Sequence, residues 1–240
     1  MPDIQQHTFP NGLQLLAEPM PGVQSAALTF LTPAGNARQP ADQLGVANLL
    51  AEVIGRGAGG LASREHSDAL DMLGVHRSTS AGNRHLRIGA ALVGDKLLDA
   101  LPLLLDQALR PNLDPAELEP SRDLTLQEID ALDDEPQSRV MNDLRSRHFP
   151  EPFGRPGTGQ REHLEALTLD DLRAFWKTTV VPGGSILAVA GHVDFDALVE
   201  RIGELTADWT GSADDIAPTN EPARGANHTN DTTEQVQIAL

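Results

Sequence analysis

The chain has 240 residues, 40% of them hydrophobic and none of them cysteine, and its 35 acidic against 18 basic side chains give a formal net charge of −17. The apolar content suffices for a core in one large domain or one and a half ordinary ones, which argues against general disorder. The acidity and the scattered arginines argue against a phosphate-binding surface, the lack of Cys excludes disulfides and thiolate metal sites, and no leader or run of about 18 apolar residues is visible. These features lead to the expectation of a soluble, cytoplasmic chain without nucleic-acid or membrane partners, a periplasmic location remaining open. The acidic surface serves solubility and permits a cationic partner.

The opening IQQHTF-PNG-LQLLAEP contains two extended runs around Asn-Gly, the signal of a hairpin. A strand is expected over VQSAALTFLTPAG. Residues Asp42 to Ile54, apolar nearly all round, predict a helix buried on several sides and ended by Gly55 and Gly57. SREHSDALDMLG predicts a helix with Ser63 as its N-cap, stopped at Gly74. A second hairpin is expected over Val75 to Val93, then a helix over Asp95 to Leu109 that Pro102 should kink or truly begin. Asp114-Pro-Ala-Glu117 reads as a capping box opening a helix to about Leu132. Glu135-Pro136 breaks it, and a further helix runs through QSRVMNDLRSRHF. PEPFGRPGTG is a loop, and Thr168-Leu-Asp-Asp171 a second capping box for the helix of Phe175 and Trp176. SILAVAGHV reads as a buried strand, and Asp194 caps a last helix. Residues 211–233 have linker composition, and EQVQIAL resembles the start of a strand. The expected organisation is therefore one domain over 1–210, a linker over 211–233, and the start of a truncated second, homologous domain over 234–240.

Two polar residues interrupt the apolar helix GVANLLAEVIGRG. Helices hold zinc with two ligands at i and i+4 on one face and a nearby Glu as base, as in the inverted motif His-x-x-Glu-His. Here Asn48, Ala51 and Glu52 occupy that frame. None of the eight histidines, His7, His66, His76, His85, His148, His163, His192 and His228, has another at i+4, so no second helical zinc site is offered, and all read as loop or surface residues. There is no Gly-x-Ser-x-Gly elbow, and GRGAGG lacks the Lys-Ser/Thr ending of a phosphate loop.

At these residues the chain resembles the pitrilysin-like zinc peptidases, the insulinase and mitochondrial processing peptidase family, over roughly residues 5–210. The resemblance is carried by Asn11-Gly12-Leu13, Gly45-Val-Ala, Gly57, Leu73-Gly74, Leu124-Thr-Leu-Gln-Glu128-Ile129 with DDEP behind it, Gly154-Arg155-Pro156-Gly157-Thr158-Gly159, Leu167-Thr168-Leu-Asp-Asp-Leu172 and Val189-Ala-Gly191-His-Val-Asp194. It implies an α+β fold of processing-peptidase or LuxS type, a mostly antiparallel sheet with helices packed on one face. It places Glu128 at the distal ligand position and an edge strand for peptide pairing over His76, Arg77, Ser78, Thr79, Ser80 and Ala81. It also implies that the motif positions Asn48, Ala51 and Glu52 are vestigial, since an amide is a poor zinc ligand and Ala51 offers no base. No cofactor is expected in this chain, zinc belonging to a homologous catalytic partner with an intact His-x-x-Glu-His. The expected function is a non-catalytic subunit or homologue shaping a chamber for peptides or unfolded protein. The alternatives are a divergent metal-dependent endopeptidase using Glu52 and Glu128, and a structural core subunit of a larger assembly.

Overall fold

The computed structural model describes residues 4–133, 135–223, 225–228 and 238–239. The first hairpin pairs β1 (Gln5–Thr8) antiparallel with β2 (Gln14–Pro19). Its turn is closed by the Phe9 N–H donating to the Leu13 carbonyl at 2.9 Å, and only Gly12, at φ +93°, takes left-handed backbone. Asn11 has another task. Its amide donates to the carbonyls of Thr206 (2.9 Å) and Trp209 (3.2 Å), tying the hairpin to the far end of the domain.

With β3 (Ser25–Thr32), β4 (His76–Ala81), β5 (Leu86–Val93) and β6 (Ile186–Gly191) these strands form one sheet in the order β1-β2-β6-β3-β5-β4. All neighbours are antiparallel except β2 and β6. The sheet is mostly antiparallel with helices on one face, the α+β architecture the sequence implied. Alternation explains it: Ala26, Leu28, Phe30 and Thr32 of β3 are buried, whereas the residues between them are more exposed.

The helices are α1 (Val46–Ile54), α2 (Ser63–Met72), α3 (Leu97–Leu109), α4 (Pro115–Asp133), α5 (Pro136–His148), α6 (Arg161–Ala166), α7 (Leu169–Thr179) and α8 (Phe195–Leu205). Several beginnings differ from the sequence expectation. α1 starts at Val46 and not at Asp42, because Gly45 adopts φ +113° and a methyl group there would lie 2.7 Å from the Leu164 side chain. The N-cap of α2 is Ala62 and not Ser63; its N–H donates to the Glu65 carboxylate at 3.0 Å. α3 runs through Pro102, so the proline neither begins nor stops it. Half of the expected box at α4 forms, with Asp114 accepting from the Ala116 N–H at 2.9 Å while Glu117 turns to Arg56 at 3.2 Å. α6 had no sequence signal.

The box at α7 is complete. The Thr168 hydroxyl donates to the Asp171 carboxylate at 2.6 Å and the Thr168 N–H at 2.8 Å, and these two bonds, in that order, hold the Asp171 carboxyl below its ordinary range, while the Asp171 N–H donates back to the hydroxyl at 3.3 Å. Thr168→Ala is expected to cost about 1 kcal/mol, a drop of roughly 2–4 °C in Tm near neutral pH. The lowered pKa makes Asp171's contribution present above its unfolded value and lost as pH falls through the folded one. The gap between variant and parent in thermal melts should accordingly narrow in acid.

The expected strand over 234–240 lies, apart from residues 238 and 239, outside the described residues, as does part of the expected linker. Among the described residues no helix is long and apolar enough to cross a membrane.

Candidate functional site

α1 packs against α4, α7 and the edge strand β4. Val46, Ala47, Leu49, Leu50, Ala51, Val53 and Ile54 are buried, leaving Asn48 and Glu52 as its half-buried positions, one turn apart on one face. The helix is thus held by apolar contacts on its other sides, and the two polar residues look across to α4 and to the loop between α5 and α6.

Asn48 donates its side-chain amide to the Gly157 carbonyl at 2.6 Å, and Asn36 donates to the same oxygen at 3.0 Å. Behind them Gln39 is buried. Its Nε2 donates to Asn36 Oδ1 at 3.1 Å, and its Oε1 accepts from the N–H groups of Gly45 (2.5 Å) and Ala47 (3.3 Å). Gln39 therefore caps α1 in place of the side chain Gly45 lacks. No sequence pattern announced this amide network, because its bonds among residues 36–48 follow no regular cap spacing and its shared acceptor, the Gly157 carbonyl, lies 109 residues from Asn48. Ala51 is buried and presents only a methyl group.

Glu128 sits on α4 within Coulombic reach of Glu52. Much of the Glu128 side chain is exposed, yet partial desolvation where it packs on the domain, and then the Glu52 charge, raise its carboxyl from the ordinary range. A raised carboxyl binds protons more readily folded than unfolded, so stability declines as pH rises from the ordinary carboxylate value through the raised one. Glu128→Gln should then raise Tm above that window and leave it unchanged below. Solvent screening at this exposed residue limits the gain to about 1–2 °C, measurable by paired melts at acidic and neutral pH. Among the described residues no group of three or more His, Asp or Glu side chains is placed to hold a metal ion.

Among the described residues β4 is the last strand of the sheet, bonded to β5 alone. His76, Ser78 and Ser80 are exposed, and Arg77, Thr79 and Ala81 half-exposed. Arg77 is tied to α2, donating to the Ser67 hydroxyl at 2.9 Å, and Ser78 accepts from Arg87 at 3.2 Å. Of the histidines, His66 departs from the surface expectation. It lies fully buried in α2 with Nε2 3.0 Å from the Leu103 carbonyl, which requires the proton on Nε2.

The mostly antiparallel sheet, the buried α1 with its polar pair beside the last strand, and Glu128 on α4 make up an α+β domain of known architecture. The fold is shared with a solved peptidase M16 inactive domain from Pseudomonas fluorescens, at TM-score 0.82 and 19% identity over 92% of this chain and 54% of that one. A protease from Helicobacter pylori superposes at TM-score 0.81 with 19% identity, over 92% of this chain and 53% of that one. The Insulinase (Peptidase family M16) profile matches residues 15–159, more than half the sequence, and the chain belongs to that family. It is 27% identical over 198 residues to an uncharacterised zinc protease of Mycobacterium leprae, covering 82% of this chain and 44% of the relative. To a probable mitochondrial-processing peptidase subunit beta of Arabidopsis thaliana it is 23% identical over 227 residues, covering 92% of this chain and 42% of the relative. The chain thus spans less than half the length of these two curated relatives.

Proposed function

We propose that this chain is a non-catalytic homologue within the insulinase family that forms, with a catalytic partner, the wall of a chamber for extended peptides. One observation carries the reading. Where the family resemblance puts a metal ligand and a general base, the chain has an amide whose Nδ2 is committed to the Gly157 carbonyl and a buried methyl group. These residues do not fit zinc. Asn48, Glu52 and Glu128 offer one amide and two carboxylates with no imidazole, a donor set suited to harder cations. Nothing at Ala51 can take a proton from water.

What the chain offers a peptide is the open side of β4. Residues 76–81 present main-chain N–H and C=O groups to an extended segment beside α1, and alternate side chains sort what can lie there. Catalysis then falls to a homologous partner with an intact His-x-x-Glu-His, which would hold the zinc. The Pseudomonas structure is that of an inactive domain, and the Arabidopsis relative is a subunit of a processing peptidase; both support a division of labour of this kind.

The test is metal content and peptidase activity of the purified chain, with and without chelator, beside the triple variant Asn48→His, Ala51→Glu, Glu52→His. The expected result is no chelator-sensitive cleavage by the unmodified chain, and co-purification of a partner bearing the intact motif. Chelator-sensitive cleavage by the unmodified chain would replace this reading with that of a metal-dependent endopeptidase using Glu52 and Glu128. Stable association that leaves proteolysis unchanged would make the chain a structural core subunit instead.

A further inference from the structure

Residues 211–220 follow α8 without helix or strand of their own beyond one bridge at Ser212, yet they are attached at both ends. Near the start, the Gly183 N–H donates to the Gly211 carbonyl at 3.1 Å and the Ala213 N–H to the Gly183 carbonyl at 3.2 Å. The Arg38 guanidinium donates to the main-chain carbonyl of Asp214. At the far end the Thr219 N–H donates to the Glu151 carbonyl at 2.8 Å, and the Glu151 N–H donates to Asn220 Oδ1 at 2.6 Å. Between these anchors the segment borders an open surface depression of about 480 Å³, lined by Arg38, Gln39, Arg155, Thr179, Asp215 and Ile216 among others. Asp214, Asp215 and Ala217 are exposed and Ile216 is half-buried. An element held by a few polar anchors, with little apolar burial, opens at low cost.

Glu151 is the link to the rest of the molecule. Its main chain holds the 211–220 segment, while its carboxylate accepts from Arg155 Nε at 2.7 Å. Arg155 also donates to the Gln39 carbonyl, and Gln39 caps α1. The loop carrying Glu151 is pinned further along by Asn36 and Asn48 on the Gly157 carbonyl, by the Gln160 N–H on the Leu44 carbonyl (3.2 Å), and by Asn83 on the Phe153 carbonyl (2.8 Å). A continuous set of hydrogen bonds therefore runs from Asn220 through Glu151, Arg155 and Gln39 to the first turn of α1.

We propose that residues 211–220 are a releasable clasp whose docking on Arg38 and Glu151 sets the position of the 150–160 loop against the first turn of α1. Charge contributes to the docking. Burial lowers the Arg38 pKa, and the nearby charges of Asp214 and Asp215 oppose that shift, so acidic groups lie over a partly desolvated guanidinium. Displacing the clasp would loosen the loop and reach Asn48 without any contact at Asn48 itself, which is coupling through a contiguous network. The inference goes beyond the proposed function, and its readout needs neither peptide nor catalytic partner.

Hydrogen exchange followed by mass spectrometry on the full chain tests it, with Arg38→Gln and Asn220→Ala each removing one anchor and Arg201→Gln, on the surface of α8, as control. Each anchor variant should speed exchange in 211–220 by about fivefold, the equivalent of one hydrogen bond, and speed exchange in 152–160 in the same direction. The control should change neither, and added salt should speed exchange of the clasp in the parent chain. Loop rates that stay at the parent value while the clasp loosens would overturn the coupling. Clasp rates indifferent to both anchor variants would overturn the docking. Asn220 is exposed, so its replacement keeps the test valid even if Arg38→Gln perturbs folding.

Discussion

Leu50→Asp is expected to abolish the cooperative unfolding transition of the domain. Leu50 is fully buried in α1, in the same cluster as Leu49, Val53, Ile54 and the inward residues of β3 and β5. Removing the leucine forfeits about 1.5–3 kcal/mol of burial, and an unpaired carboxylate in its place adds several more. Against a total stability of roughly 5–15 kcal/mol, that sum leaves no folded population of consequence. Circular dichroism melts would show it as the loss of a sigmoidal transition. Glu52→Ala, two residues along, should stay within about 2 °C of the parent, because a half-buried carboxylate facing another carboxylate contributes little. A cooperative Leu50→Asp melt near the parent Tm would mean that α1 is not part of the core.

Arg122→Met is expected to be the largest polar effect, roughly 3–5 kcal/mol, since hydrogen bonds to a charged group contribute more than neutral ones and two of the three acceptors left behind are buried. Arg122 on α4 is buried, and its guanidinium donates to the carbonyls of Leu164 (2.7 Å), Glu165 (2.6 Å) and Leu167 (2.8 Å). These carbonyls close the C-terminal end of α6, a six-residue helix that could not persist alone. Leu164 of that helix is also the side chain that crowds Gly45 at the start of α1. The loss should therefore reach the candidate site. Arg122→Lys should recover only a minor part, because one ammonium nitrogen on a shorter stem cannot stand where both Nη1 and Nη2 donate. Urea melts would give both values, and a loss under about 1 kcal/mol for the methionine variant would show that water replaces the guanidinium.

Both residues bear on how legible the protein was. Leu50 could be placed in the core from its neighbours alone, since a helix apolar all round has to be buried. The caps at Thr168 and Asp194 were equally plain, because a capping bond joins residues three apart: Asp194 accepts from the Ala197 N–H at 3.0 Å. Arg122 carried no such signal. An arginine on a charged helix reads as solvated, and only the approach of α6, from more than forty residues away, buries it. The packing of α3 over α2 likewise takes His66 out of water, while Gln39 caps α1 from six residues before Gly45, outside the spacing of an ordinary cap.

The sequence by itself determined the family, the run of strands and every helix but α6, and the absence of imidazole from α1, since residue identity and short-range periodicity suffice for those. The tertiary structure decided that β6 enters between β2 and β3, that Glu128 comes to face Glu52, and that the Asn48 amide meets the Gly157 carbonyl 109 residues away. Such pairings follow from how apolar faces stack around one core, and no local pattern along the chain encodes which distant segment will be brought alongside.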